Sequence, residues 1–449
     1  MNRRASSPLG PTWASWGALG LGVMLAVSGC SKGGSTSGPT GPSAIDHEVP
    51  AGTAGQGTGD AGYQFAVDES AAEGTGPRPE MSARAKEAYQ AGLRAFSVGD
   101  LNGARTQFLA AIAADGKAYQ AHYSLGVVEE RLGSPAAAAA AYRKALDVVP
   151  DYEQAAAAQA LLMAKRGDHE SAARDLRARL SRLPKSAILT GALAEVRSMQ
   201  GESGEAQRLA QEALKKNPDY RPAMVTLARD HYRRRRLDLA LYTLQGILDG
   251  YGPENPPRDK NNAEARLLRG LIYRERNQRG LAIDELTRAV ELRPDLVEAR
   301  LQLATYMLEA GNAQGALPHL EAAVRYDHKN VLARLNLGDA YRLAERPADA
   351  RRELEWVAKA APERVEVHYN LGLLFLLSKS IPGMTPIQAT NKAIEHLEAY
   401  RERGVRGGPD DTEELITRAK TRKALLEAEA QEAKGARDTA AEPPTEEAP

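Results

Sequence analysis

The stretch YSLGVVEERLGSPAAAAAAYRKALDVVP, residues 123–150, ends at a proline and has three counterparts later in the chain. These are GALAEVRSMQGESGEAQRLAQEALKKNP, LLRGLIYRERNQRGLAIDELTRAVELRP and LNLGDAYRLAERPADARRELEWVAKAAP, which end at Pro218, Pro294 and Pro362. Pro184 lies 34 residues after the first of these prolines and 34 before the second, and the last two are 68 residues, or two periods, apart. A fixed period of this length predicts an array of repeated supersecondary units.

The period sets a register in which nine repeats cover residues 85 to 404. They start at Ala85, Tyr119, Glu153, Ala187, Arg221, Ala263, Val297, Val331 and Val365. The eighth position is always small, at Gly92, Gly126, Ala160, Ala194, Ala228, Gly270, Ala304, Gly338 and Gly372. The twentieth is alanine, at Ala104, Ala138, Ala172, Ala206, Ala240, Ala282, Ala316 and Ala350, with Ala393 in that role in the ninth repeat. Small side chains let two helices approach closely, so each repeat is predicted to be a helical hairpin.

With a small residue at position 8, alanine at 20 and proline at 32, the unit resembles the tetratricopeptide repeat. The resemblance implies an all-α fold, a right-handed α-solenoid of about nine helical hairpins. Hairpins must stack to bury their apolar faces, and the last one needs a polar cap. Residues 410–430 are predicted to be this C-terminal capping helix, with Asp410 or Asp411 as its N-cap. Its stripe toward the last repeat consists of Leu415, Ile416, Ala419, Lys423 and Leu426.

Two segments depart from the period. The insertion at 249–262 adds eight residues with three prolines between a five-repeat block, 85–248, and a four-repeat block, 263–404. It is interpreted either as a hinge between the blocks or as a tolerated surface loop. In the ninth repeat, Thr385 opens a capping box with Pro386 at the first helical position, so the second helix is predicted to start there.

The chain's one cysteine, Cys30, follows an apolar segment that carries no charge from Ala5 to Gly29. A positive start, a short apolar run and small residues before a cleavage point predict a secretory signal over residues 1–29. The residues VSGC that end at Cys30 resemble the lipobox of bacterial lipoproteins. This resemblance implies that Cys30 becomes the first mature residue and carries acyl chains that anchor it in a membrane. The alternative is a plain transmembrane anchor. Since Ser31 is not aspartate, resemblance to known sorting rules implies the outer membrane, on its periplasmic face.

Composition limits the other classes of function. The 59 Lys and Arg residues balance 59 Asp and Glu residues, so no general attraction to nucleic acid is expected. A single cysteine excludes an internal disulfide. Residues 30–80 are rich in Gly, Ser, Thr and Pro, and they are predicted to form a lipidated, disordered linker. Residues 431–449 are predicted to be a disordered tail.

No catalytic constellation, metal-binding cluster or cofactor motif is found in the sequence. The eight histidines are scattered, and there is no HExxH motif, no phosphate-binding loop and no GxGxxG after a strand. His122 and His368 occupy the fourth repeat position and are interpreted as packing residues. We therefore expect no enzyme activity, no cofactor and no metal.

In the tetratricopeptide family, function lies on the concave face, where positions 2, 5, 6, 9, 12 and 13 point into a groove. The family's carboxylate clamp, Lys at 5 and Asn at 9, is absent here. Arg229, Arg233 and Arg274 predict a basic zone near the middle of the groove. An apolar second half is predicted from Leu267, Leu271, Leu301, Leu335 and Leu373. The alternatives are that the arginines form a solvated face and that some leucines belong to the core.

The preferred hypothesis is a non-catalytic scaffold, an outer-membrane-anchored periplasmic lipoprotein that binds other envelope proteins through its concave face. It resembles repeat lipoproteins of multiprotein envelope machines, and gliding motility is the preferred member of that class. One alternative is a regulator of a cell-wall or polysaccharide synthase. Another is an assembly factor for outer-membrane proteins or a pilus secretin.

Overall fold

The computed structural model describes residues 78–403 and 411–440, with side chains described up to residue 434. Within these residues the chain forms nineteen α-helices, and its β-type pairing is one isolated bridge between Gly252 and Asn255. The helices are α1 (Ala83–Ser97), α2 (Leu101–Ala114), α3 (Tyr119–Arg131), α4 (Pro135–Val148), α5 (Glu153–Lys165), α6 (His169–Leu180), α7 (Ala187–Gln200), α8 (Ser203–Lys216), α9 (Arg221–Arg233), α10 (Leu237–Leu248), α11 (Ala263–Glu275), α12 (Arg279–Leu292), α13 (Val297–Glu309), α14 (Ala313–Tyr326), α15 (Val331–Leu343), α16 (Pro347–Ala360), α17 (Glu366–Leu377), α18 (Pro386–Glu402) and α19 (Thr412–Ala440).

The helices pair into nine hairpins, and the predicted all-α solenoid is confirmed. From the second repeat to the eighth, the first helix of each hairpin begins at the predicted residue. In the ninth repeat the helix begins at Glu366 because Val365 is its N-cap. In the first repeat it begins at Ala83, where the Ser82 side chain accepts a hydrogen bond from the Ala85 amide and caps the helix.

Close helix contacts explain the small residues of each repeat. A Cβ atom on Gly126 would lie 2.4 Å from the ring of Tyr142, and one on Gly338 would lie 2.6 Å from Leu354. The alanines at position 20, including Ala393, are at most 1% exposed. Each hairpin is therefore closed by a large side chain of its second helix that packs on the bare backbone of its first.

The insertion at 249–262 is folded against the end of α10. The Tyr251 amide donates to the Asn255 carbonyl at 2.8 Å, and the Asp259 amide donates to the Ile247 carbonyl at 2.8 Å. Beneath it, one apolar cluster contains residues of α9, α10 and α11, so the core continues from one block to the next. Of the two interpretations, a surface loop agrees with this continuous packing.

The C-terminal end follows the predicted design and then extends it. Thr385 and Gln388 form the capping box, with both reciprocal hydrogen bonds present, and α18 begins at Pro386. Leu415, Ile416 and Ala419 of α19 are buried in the same apolar cluster as the last repeats, as expected of a cap.

One boundary differs from the prediction. Helix α19 continues to Ala440, whereas the sequence placed its end at residue 430 and a disordered tail at 431–449. The segment QEAKGARDTA is low in complexity but rich in strong helix formers, so it extends the existing helix without a packing partner. The predicted leader, Cys30, most of the linker, Asp410 and residues 441–449 lie outside the described residues.

Candidate functional site

The concave face of the solenoid encloses a cavity of about 1460 Å³. Its wall is formed mainly by the first helices of repeats 2 to 7, namely α3, α5, α7, α9, α11 and α13. We call this cavity the lumen. Repeating hairpins produce such a surface because a small rotation from each unit to the next accumulates into a curve.

The curve brings distant repeats into contact beside the lumen. The Arg131 guanidinium lies 3.6 Å from the Asp295 carboxylate, and both side chains are less than a tenth exposed. Gly133 lies against the carbonyl oxygen of Tyr326, and the Tyr326 ring packs on the apolar cluster around Phe108. The turn after α3 therefore contacts the turns after α12 and α14, although more than 150 residues of chain separate Arg131 from Asp295.

Charged side chains cross the lumen wall as a ladder of ion pairs. Arg229 contacts Glu195 and, at 3.4 Å, Glu264. Glu264 also lies 3.1 Å from Arg293, which lies 3.1 Å from Asp295. Attraction by Glu195 raises the pKa of Arg229. Burial opposes ionisation of Glu264, but Arg293 and Arg229 lower its pKa overall, so the ladder is charged at neutral pH.

The predicted basic zone lies in the lumen but is electrically compensated. Arg229, Arg233 and Arg274 all line it. However, the lining contains eight Lys or Arg and eight Asp or Glu side chains, so its formal charges cancel. Arg233 donates to the Ser198 hydroxyl at 2.6 Å, and Arg274, which is exposed, donates to the Gln302 side chain. The structure brings the three arginines together but places acids between them.

The predicted apolar half of the groove is largely consumed by packing between repeats. Leu267 and Leu271 line the lumen but are only 8% exposed and belong to an inter-repeat cluster. Leu301 and Leu335 are buried in the C-terminal apolar cluster, and Leu373 packs against it. The core alternative therefore describes these leucines, because the curvature of the last repeats presses their first helices together.

Sequence reasoning overlooked the acids of the lumen. Glu195 occupies position 9 of its repeat, as Arg229 does in the next, while Glu264 and Glu298 occupy position 2. The rule that identified the arginines therefore also identifies these acids. Burial raises the pKa of the Glu298 carboxyl, against the lowering effect of Arg229 and Arg274.

The two singled-out histidines have different surroundings. His122 is buried, and its Nε2 lies 3.2 Å from the Gly116 carbonyl oxygen, as a packing residue would. His368 Nδ1 lies 3.0 Å from His396 Nδ1, and Arg403 donates to His368 Nε2 at 3.0 Å. Because arginine only donates, His368 carries its proton on Nδ1 and donates to His396.

Two searches of the described residues bear on other kinds of site. Across 78–403 and 411–440, His, Cys, Asp and Glu form no group of three or more arranged to hold a metal ion. In the same part of the chain, none of the helices combines the length and apolar composition that crossing a bilayer requires.

Comparison with known families identifies the repeat. Models of the tetratricopeptide repeat match residues 89–156, 192–257, 263–296 and 307–372. Together these matches span just over half of the chain. The chain therefore belongs to the tetratricopeptide-repeat proteins, a class whose members act as scaffolds for protein–protein interaction.

Solved structures agree with this fold. The chain is similar to one in the Cut9–Hcn1 hetero-tetramer of the APC/C, with a TM-score of 0.52 and 17% identity over 71% of this chain and 59% of that chain. It is also similar to pilF of Pseudomonas aeruginosa, with a TM-score of 0.32 and 20% identity over 49% of this chain and 97% of that chain. At these identities the similarity shows the fold alone.

Proposed function

We propose that this protein is a non-catalytic scaffold whose lumen binds an extended segment of a partner protein. The observation that carries the proposal is the lumen itself. Its volume of about 1460 Å³ exceeds the range of about 300–1,000 Å³ typical of small-molecule sites. Six helices present acids, arginines, amides and tyrosines on its wall, and these groups match the donors and acceptors of a polypeptide.

We further propose that acyl chains on Cys30 anchor the scaffold to the outer membrane on its periplasmic side. The support is the VSGC lipobox behind a charge-free leader. As a flexible chain, the linker from Cys30 to residue 80 would span about 40 Å and hold the solenoid off the membrane. Mass spectrometry of the mature amino terminus tests this: an acylated Cys30 supports it, and a retained residue 1–29 segment contradicts it.

The partners that we propose are proteins of a multiprotein envelope machine. Nine repeats exceed what assembly lipoproteins of this type usually carry, which favours a large complex such as a gliding-motility machine. A synthase regulator or an assembly factor would use the same lumen with other partners. The identity of the captured protein therefore separates these alternatives.

Copurification from membranes tests the lumen. The variant carrying Arg233→Glu and Arg274→Glu reverses two charges on the lumen wall without touching the helix contacts at positions 8 and 20. Leu239→Glu on α10 is the matched control, because Leu239 is exposed on a second helix outside the lumen. We expect the double variant to lose partners that wild type and the control retain. Equal recovery by all three would contradict lumen binding.

A further inference from the structure

The contact between repeat 2 and repeats 6 and 7 closes the lumen on the side where a solenoid would be open. We call this contact the latch and define it by Arg131, Gly133, Asp295 and Tyr326. The buried Arg131–Asp295 pair measures 3.6 Å. Nearby, a Cβ atom on Gly99 would lie 3.8 Å from Pro294, so repeat 1 approaches the same turn.

Gly133 shows that the latch is a fitted contact. Its φ is +73°, and a Cβ atom there would lie 2.8 Å from the Tyr326 carbonyl oxygen. Gly167 occupies the equivalent turn one repeat later, with φ +93°, yet a Cβ atom there would meet nothing within 4 Å. The left-handed turn explains glycine at both positions. Only at Gly133 does a neighbouring repeat also require it.

A ring has a consequence that an open groove lacks. A partner in a groove can dock from the side, whereas a partner in a closed ring must enter through one end or wait until the ring opens. We propose that the lumen admits one extended polypeptide segment that enters by its chain end, and that the latch excludes folded domains and closed loops. This inference rests on the proposed function and names the form of the partner.

An extended segment suits this lumen better than a docked helix face. A helix that packs laterally needs an apolar stripe to rest on. The lumen instead presents the ion-pair ladder from Glu195 to Asp295, and the leucines beside it are buried in the core. An extended chain exposes its backbone donors and acceptors on both sides, which such a polar wall can satisfy.

Distances between spin labels test the latch without a partner. The full chain with Cys30→Ser has no cysteine, so labels can be placed at Ala136→Cys and Lys329→Cys, two exposed positions beside the latch. We expect one short distance in the parent and in the Gly167→Gln control. Gly133→Gln should lose the short distance and show a longer, broader distribution.

Thiol accessibility tests the route of entry. A cysteine at Ile188, on the lumen wall, is offered two reagents: a linear poly(ethylene glycol) maleimide, and a maleimide joined by a short linker to a folded protein. The linear reagent should react in the parent and the folded reagent should not. Gly133→Gln should gain reaction with the folded reagent, whereas Gly167→Gln should not. A cysteine at exposed Tyr242 should react with both reagents throughout.

The outcomes separate this inference from the proposed function. Equal rates for the two reagents at Ile188 in the parent, or identical distances in the two glycine variants, would overturn the latch. If Gly133→Gln loses helical circular dichroism, Tyr326→Ala replaces it, because it removes the ring that packs around Phe108. Loss of partner capture in lumen variants with an open parent ring would support the proposed function and reject this inference.

Discussion

The middle and the C-terminal end of the solenoid use the same repeat but present different concave surfaces. In repeats 2 to 7 the first helices surround a lumen crossed by paired charges. In the last repeats one apolar cluster runs from Leu301 to Ala419 and includes the capping helix. The difference shows that the residue type at a concave position does not decide whether it binds or packs. The local curvature and the neighbouring repeat decide it.

The largest expected effect is at the packed end, at Leu301. Leu301→Asp buries an unpaired carboxylate and removes a packed side chain, which should lower the free energy of unfolding by about 4 kcal/mol. Leu281→Asp on α12 is the control, since Leu281 is exposed. Thermal unfolding followed by circular dichroism measures both. A stable Leu301→Asp protein with weakened partner binding would restore Leu301 as a binding residue.

A close helix contact should give the next largest effect. Gly338→Trp places a large ring where even a Cβ atom lies 2.6 Å from Leu354, so unfolding should become easier by about 3 kcal/mol. Gly280→Trp is the matched control, because a Cβ atom on Gly280 would meet nothing within 4 Å. Limited proteolysis should cut near α15 in the first variant only. Equal melting of both variants would show that the repeat register is wrong.

Within the lumen, two arginines should differ in their structural cost. Arg229→Glu places a third carboxylate beside Glu195 and Glu264, and because the site is partly exposed we expect a loss of about 2 kcal/mol. Arg274→Glu removes only the hydrogen bond to Gln302 and should stay within about 0.5 kcal/mol of the parent. Urea denaturation compares them. Equal stabilities would mean that the ladder contributes nothing to the fold.

The smallest expected effect is a pH dependence at the packed end. Burial, with a contribution from His368, lowers the pKa of His396 from 6.5 to about 4. The fold thus favours the neutral imidazole, so this stability is fully present above pH 6.5 and is lost as the pH falls toward 4.

Melting temperatures across that range test this pH dependence. His396→Phe keeps an aromatic ring beside Phe375 and should flatten the dependence, whereas His328→Gln at an exposed site should leave it unchanged. Parallel pH profiles for parent and His396→Phe would exclude the histidine pair as its source.

The repeat register could be predicted because the packing of each hairpin repeats every 34 residues. Gly126 and Gly338 report the same contact in different units, and the period places them without any structure. Helix α19 beyond residue 430 was missed because low complexity was given more weight than helix propensity.

The site was less accessible to sequence reasoning. Glu195 could have been found beside Arg229, because equal positions in consecutive repeats are neighbours in space. The latch could not have been found, since its geometry depends on a small rotation summed over several repeats. No local pattern around Arg131 or Asp295 records that sum.

Site-specific photo-crosslinking in the native membrane tests most directly whether partners occupy the lumen. A benzophenone amino acid is placed at Gln154, Ile188 or Gln302, which line the lumen, or at Leu109 or Tyr242, which are exposed on second helices. We predict that the lumen positions capture one common protein and that the outer positions do not. Capture of that protein from Leu109 or Tyr242 alone would contradict binding in the lumen.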